Sequence, residues 1–336
     1  MPVLRNLITD IQGVRVGHAD DAKLASGSTV GVFDKAVVAS VDVRGGGPGT
    51  RETALLDPAQ TVEGIDAIVL SGGSAFGLDA ASGVQAYMRE QGRGFRIRDA
   101  VVPIIPGAIL FDLLNGGDKN WGRYPIYREL GYQAAANAAV DFALGSAGAG
   151  LGATTATLKG GVGSASAHMK NGITVGAIAV VNAVGTVVVG DGPHFWAAPF
   201  EQNSEFGGRG SPATLLPPDL VIRAKGGPQE SGPNQNTTIA VVVTDAQLNK
   251  AQCSRLAVMA QDGLARAIYP VHTPLDGDVV FSAATGEKPL ADPYYGLAEL
   301  GMVAANVMAR AIARGIYEAK ALPFAGALPS WRDRFD

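Results

Sequence analysis

Cysteine is almost absent: Cys253 alone in 336 residues excludes an intramolecular disulfide. In the helix-patterned run after Asp245 it reads as a small buried apolar residue. Charge is equally sparse. With 17% charged residues and a net charge of -4, the chain lacks the electrostatic footprint that would draw nucleic acid or an anionic membrane. Four histidines, His18, His168, His194 and His272, are scattered without ligand spacing, so neither a metal centre nor a cofactor is expected. No apolar run reaches the roughly 18 to 20 residues of a membrane span without a glycine or a charge. The first eleven residues have neither the long apolar core nor the small-residue cleavage site of a secretory signal. The chain is expected to be soluble and cytoplasmic. A P-loop and an H-E-x-x-H are also missing. Ser74 sits in a glycine turn without the second glycine of a nucleophile elbow. Gly148 to Ala153 spells G-x-G-x-x-A, but a helix-like run precedes it and a strand-like run follows, the wrong order for a dinucleotide turn.

What is abundant is glycine, at 45 residues, together with alanine, a composition that favours closely approaching backbones and tight turns. Strand-like pieces come first, at Gly13–His18, Ser28–Phe33 and Ala36–Val43, followed by the glycine loop Arg44–Glu52, readable as a tight crossing of backbones. Ile65–Leu70 is a buried-strand candidate, and Ser71–Gly77 turns it into a helix ending near Arg89. Such a turn exposes helix N-terminal amides suited to an oxyanion or a carboxylate. Val101–Leu114 is apolar but carries two prolines, which suits an edge strand or a groove wall. Tyr127–Leu144 reads as an alanine-rich helix. Lys159 stands at the mouth of a glycine run, either a solvated lysine or a site cation. Ile173–Gly185 and Thr186–Gly190 read as a strand pair with Asn182 at its turn, where the amide serves turn chemistry or donates to an oxyanion.

From Asp191 to Pro233 the composition shifts to Gly, Pro, Ser and polar residues, a long connection of the kind associated with function or processing. It runs into Ser231-Gly-Pro-Asn-Gln-Asn-Thr-Thr238, and Thr237–Thr244 is a strand. A Thr that opens a strand directly after Asn is placed to attack its own peptide bond. Once the bond is cut, the new α-amine has a reference pKa near 7.7 to 8.0 and can deprotonate the adjacent hydroxyl, making nucleophile and base one residue. The alternative is an ordinary turn entering a β-branched strand. Asp245 is a plausible helix N-cap, with Leu248, Leu256, Met259, Ala260 and Leu264 marking the buried face beyond it. Asp276 and Asp278, in His272–Ser282, are either a simple Asp-Gly turn or a pair able to orient an ammonium group. Gly296–Ala319 closes the chain as a helix with a wide apolar stripe.

Val14–His18, Arg44–Glu52, Leu70–Leu78, Val102–Pro106 with Phe111–Leu113, Lys159–Gly163 and Asn236–Ile239 with Thr244–Asp245 together resemble the DmpA-type peptidase family. This family comprises L-aminopeptidase/D-esterases, β-peptidyl aminopeptidases and nylon-oligomer hydrolases, and the resemblance runs from about residue 10 to about 320. It implies an α+β fold, a four-layer αββα sandwich of the DmpA/ornithine acetyltransferase type. It also implies self-cleavage of the single domain 1–336 into chains 1–236 and 237–336, and a homotetramer. Carried over, Thr237 is the nucleophile, Lys159 its neighbour, Asn182 an oxyanion donor, Asp276 and Asp278 the acidic pair serving the new N-terminus, and Asn236-Thr237 the cut. Thr with Asp-Gly-Asp is closer to the nylon-oligomer hydrolases than to members using Ser and a Ser-x-Glu pair. An aromatic hydroxyl near the oxyanion in some members falls at Phe76, leaving amides of the turn, at Gly73 and Ser74, as substitutes. The expected substrate is a small amide or peptide. Acyl transfer of the ornithine acetyltransferase type and a non-enzymatic ligand-binding relative are the competing readings.

Overall fold

The computed structural model describes residues 4–225 and 236–336. Ser231 to Gln235, which open the motif before Thr237, lie outside them. Among the described residues the strands are β1 (Val14–Asp21), β2 (Ser26–Val43), β3 (Thr50–Arg51), β4 (Ile65–Ser71), β5 (Phe95–Ile97), β6 (Ala100–Val102), β7 (Gly107–Ile109), β8 (Gly161–His168), β9 (Thr174–Asn182), β10 (Thr237–Ala246) and β11 (Val279–Lys288). The helices are α1 (Ala80–Glu90), α2 (Tyr127–Ala136), α3 (Lys250–Ala267), α4 (Tyr295–Tyr317) and α5 (Trp331–Phe335).

The strands run in the order β3-β7-β4-β2-β11-β10-β9-β8, with β1 also on β2. β2 is the hinge of this order. Its first half, Ser28 to Val32, pairs with β4 and with β1, whereas Val38 to Val43 pairs with β11 after a register shift between Val32 and Val37. One strand thereby belongs to two sheets that stack face to face. The sequence suggested two strands here; they are a single strand of 18 residues.

Side chains alternate from face to face along a strand, so a strand covered on both sides reads as nearly continuous apolar sequence. β9 and β10 obey this. Ile178, Val180, Ile239 and Val241 point into the space between the sheets, where they meet Phe33, Ile68 and Leu70. Ala177, Ala179, Ala240 and Val242 point the other way, onto Leu256, Ala260 and Leu264 of α3 and Ala304, Met308 and Ile312 of α4. On the far side Val30, Val32, Ala67 and Val69 pack against α1 and α2 through Ala80, Val84, Tyr127 and Leu130. The result is helices, sheet, sheet, helices: the expected αββα sandwich. Small residues let α4 settle closely on β8, since a Cβ on Gly163 would come 2.0 Å from the Ala311 carbonyl oxygen. α4 is apolar and long enough to cross a membrane, with a mean hydropathy of 1.3. Its apolar face is spent on this packing.

Several local expectations fail for physical reasons. The glycine run after Lys159 is a strand, β8, whose residues pair along β9. Residues 186–190 do not pair with β9. Thr186 bridges Tyr269 and Val188 bridges Phe195, while Val187 and Val188 fill the core under α3 and α4. α2 stops at Ala136 instead of running to Leu144, because Ala139 leaves to bridge Val16 of β1. Asp245 caps no helix. It lies inside β10, accepting the Thr174 N–H at 2.8 Å and pairing with Lys288 at 2.7 Å. Asn249 caps α3 instead, accepting the Gln252 N–H at 2.9 Å. Met259 is only half-buried, whereas Cys253 is fully enclosed as expected.

Candidate active site

Thr237 is the first residue of β10 and is 3% exposed. Across the antiparallel ladder it faces Asn182, the last residue of β9, so the two side chains share a face. On its other edge β10 runs parallel to β11, which brings the approaches to the two strands together. Asn236 bridges Asp276, and its N–H donates to the Leu275 carbonyl at 3.1 Å. The Gly277 N–H donates to the Asn236 carbonyl oxygen at 2.7 Å. The Thr237 hydroxyl donates to the same oxygen at 2.5 Å.

The two acids hold this turn. Asp278 accepts the Thr238 N–H at 2.8 Å through Oδ1, and the His272 N–H at 3.1 Å through Oδ2, which also meets His272 Nδ1 at 2.9 Å. Asp276 accepts the Val184 N–H at 3.2 Å, the Thr273 N–H at 2.9 Å and the Thr273 hydroxyl at 2.8 Å. Asp276 is 2% and Asp278 1% exposed, so neither lies at a surface cleft. Burial, and next the charge of Asp278, raise the Asp276 carboxyl above the usual carboxylate range. The glycine loop is the backbone crossing it resembled. Gly47 N–H donates to the Asp276 carbonyl at 2.8 Å, and a Cβ on Gly45 would lie 2.2 Å from the Asp278 nitrogen.

Lys159 is not a surface lysine. It is 1% exposed, and Nζ donates to the carbonyls of Gly150 (2.8 Å), Ala153 (2.8 Å) and Gly160 (2.7 Å). Three acceptors match the three protons of an ammonium. Burial nevertheless lowers Lys159 to about 7, against the pull of Asp112. Asn182 accepts the Thr154 N–H at 3.0 Å and Lys225 Nζ at 2.9 Å, while its Nδ2 donates to the Phe111 carbonyl at 3.0 Å. Lys225, half-buried, also donates to the Thr154 carbonyl at 3.1 Å, and desolvation lowers it to about 7.

Gly73, Ser74 and Phe76 join this group indirectly. Gly73 has φ 87° and donates its N–H to Asp112 at 2.8 Å, while Gly72 and Ser74 donate theirs to the Gly27 and Leu110 carbonyls, both at 2.9 Å. These amides are committed within the fold rather than open to a substrate. Phe76 is 50% exposed and edge-on to Trp121. The link to Asn182 runs through Asp112, a buried carboxylate next to Phe111 that also accepts the Ser26 hydroxyl at 2.6 Å and whose pKa burial raises. A cavity of about 300 Å³ lies beside Thr154 and Lys159, walled by Leu114, Asn115, Leu322 and Leu328.

Asn236, Thr237, Asn182, Asp276 and Asp278 thus meet at one end of β9, β10 and β11, with Lys159 joined through Thr154. Sequence reasoning missed Lys225, His272 and Asp112. His272 was weighed only as a metal ligand, and Lys225 stands in a stretch with no pattern. Among the described residues no group of three His, Cys, Asp or Glu side chains is placed to hold a metal ion.

The sequence profile described as peptidase family S58 matches residues 6–327. The chain belongs to peptidase family S58. An uncharacterized aminopeptidase of Mycobacterium bovis is 44% identical over 98% of both chains. A 6-aminohexanoate-oligomer endohydrolase of Kocuria sp. is 27% identical over 84% of this chain and 75% of its own. In fold, a Burkholderia sp. beta-aminopeptidase superposes with a TM-score of 0.71 at 22% identity, covering 99% of this chain and 94% of the other. The L-aminopeptidase D-Ala-esterase/amidase of Ochrobactrum anthropi does so with 0.71 at 19%, covering 98% and 92%. This S58 chain is therefore a hydrolase of peptide or amide bonds.

Burial of the acids changes what their substitution should do. In Asp276→Asn and Asp278→Asn an amide donor replaces an acceptor facing N–H groups, and an unmet buried donor costs about 1–3 kcal/mol. Both variants should lose turnover and also melt earlier; unchanged melting with unchanged turnover would remove both acids from the site. A second expectation concerns Lys159. Its folded pKa of about 7 lies below the ordinary lysine value of 10.5, so between those limits the unfolded chain binds the extra proton and stability rises with pH. The slope from this group is at most about 1.4 kcal/mol per pH unit. Denaturant titrations from pH 7 to 10.5 should show the rise, and Lys159→Met should remove the Lys159 share of it while leaving that of Lys225, which burial also lowers to about 7.

Proposed function

We propose that this S58 hydrolase is a self-processing N-terminal-nucleophile enzyme that cuts its own chain between Asn236 and Thr237 and then uses Thr237 on small amino-acyl amides. One observation carries the reading: the Thr237 hydroxyl lies on the Asn236 carbonyl oxygen at the head of a buried strand. Attack of Oγ1 on that carbonyl closes a five-membered ring, the C–N bond breaks, and the hydroxyl proton ends on the Thr237 nitrogen. Water then hydrolyses the ester, leaving the Asn236 carboxylate and a free α-amine.

In turnover that amine takes the Oγ1 proton as the substrate carbonyl is attacked and returns it to the leaving amine. Asn182 supports the oxyanion from across the ladder once its Nδ2 exchanges Phe111 for the substrate. The acid turn, carrying Asp276 and Asp278, fixes the start of β10. Lys159, donating to the carbonyls of Gly150, Ala153 and Gly160, holds the backbone behind Thr154. The cavity of about 300 Å³ is not lined by Thr237 but adjoins Thr154, whose N–H and carbonyl connect to Asn182 directly and through Lys225; its size and largely aliphatic walls would suit a small unbranched acyl group.

Purified protein should be two chains. Scaling 34.4 kDa by 236/336 and 100/336 gives about 24 and about 10 kDa, assuming even residue mass. Thr237→Ala should stay whole, folded and inactive. Intact mass spectrometry and N-terminal sequencing of the small fragment decide, and an uncut, fully active enzyme would falsify the proposal. Substrate class is read separately with amino-acid p-nitroanilides and aminohexanoate oligomers. Alanyl, β-alanyl and aminohexanoyl compounds should be preferred, and a preference for bulky aromatic or internal protein sites would count against the small-acyl assignment.

A further inference from the structure

Peptide self-cleavage needs a donor where negative charge develops, and the structure shows which group faces that atom. The Asn236 carbonyl oxygen receives the Gly277 N–H at 2.7 Å, alongside the Thr237 hydroxyl. Asn182, the oxyanion donor assigned to turnover, is directed elsewhere in this chain, its Nδ2 on the Phe111 carbonyl. We propose that the main-chain N–H of Gly277 is the oxyanion donor of the self-cleavage step, so that cutting and turnover draw on different donors. This rests on the reading of Thr237 as a self-cleaving nucleophile.

The surroundings are built to present that N–H. Thr273 donates both N–H and hydroxyl to Asp276 Oδ2, and the Leu275 N–H donates to the Thr273 oxygen at 3.2 Å. The turn from Thr273 to Gly277 is thereby closed on itself. The Asn236 N–H on the Leu275 carbonyl and the Gly277 N–H on the Asn236 carbonyl clamp the scissile residue to it from both sides. Position 277 also demands glycine. A Cβ there would stand 2.6 Å from Thr237 Oγ1 and 2.7 Å from the Gly47 carbonyl oxygen, displacing the nucleophile. In the step itself the new bond joins Oγ1 to the Asn236 carbonyl carbon, and the carbonyl π pair moves onto the oxygen facing Gly277. Collapse expels the Thr237 nitrogen, which takes the hydroxyl proton.

The direct test removes the donor by replacing Gly277 with glycolate, so that the N–H becomes an ester oxygen; the only other hydrogen bond this weakens is that of the Gly47 N–H to the Asp276 carbonyl. Loss of one oxyanion donor typically slows a reaction by about 10² to 10³-fold, and self-cleavage of the ester-containing precursor, followed by gel and mass, should slow on that scale. Cleavage at the native rate in this folded variant overturns the proposal. Should the ester variant fail to fold, Thr273→Val loosens the turn instead: cleavage slowed at least tenfold supports the assignment, and native-rate cleavage overturns it. A parallel measurement uses Thr237→Ala. An NMR scalar coupling across the Gly277 N–H to Asn236 carbonyl bond is expected, and its absence overturns the proposal. Cleavage persisting in Thr237→Ala would overturn the self-cleavage reading itself, whereas an uncut Thr237→Ala beside a normally cut ester variant removes Gly277 alone.

Discussion

The parallel pairing of β10 with β11 is the constraint from which the site follows. Parallel strands start at the same end of a sheet, so the residues leading into them are neighbours whether or not they are close in sequence. Here that places Asn236 against Asp276 and sets the Gly277 amide on the Asn236 carbonyl. The antiparallel partner on the other edge contributes its terminal residue, Asn182, to the same end. A single end of three central strands thus collects a hydroxyl, a carbonyl, an amide side chain and two carboxylates.

That end is dry, and dryness carries a cost. Lys159, Asp112, Asp276 and Asp278 are all nearly inaccessible, and burying ions is unfavourable by several kcal/mol each unless polar partners replace water. The partners are mostly main-chain groups: three carbonyls on Lys159, and N–H groups of Val184, Thr273, Thr238 and His272 on the acids. Main-chain dipoles fixed by strands and tight turns do not reorient when charge moves, the preorganisation that makes electrostatic stabilisation effective. The glycine loop serves the same end, because only residues without a Cβ let positions 45 and 46 lie on the acid turn.

What the sequence made legible was chemistry tied to a strand start. Thr237 after Asn236, the acid pair and Asn182 could be picked out by residue type and place, and the layered fold came with the family resemblance. What it hid was governed by contacts distant along the chain. Lys225 reaches Asn182 across 43 residues, and Asp112 reaches Gly73 across 39. No local pattern encodes either. Asp245 illustrates the opposite failure. A cap-like residue before a helix looks decisive, yet the strand runs through it and the main-chain N–H of Thr174, on the neighbouring strand, claims its side-chain oxygen. Periodicity also could not join the two halves of β2, since its register shift, between Val32 and Val37, falls at the break between the two strand-like pieces.

A cut at the head of β10 would also leave the molecule in one piece, for a reason visible in the topology. The strands on the two sides of the cut are interleaved: β10 and β11, from the small chain, lie between β9 and β2, from the large one. Two antiparallel ladders, Thr237 to Thr244 on β9 and Val279 to Ala284 on β2, span the division. Helices α3 and α4, both carboxy-terminal to the cut, share their core with Ala177, Ala179 and Val181 of β9. Losing one peptide bond at a strand terminus removes none of these contacts, so chain separation would require opening the central sheet. The same interleaving means that β10 and β11 complete the central sheet only by lying between β9 and β2 of the large chain. The cleavage after folding proposed for Thr237 is compatible with this topology.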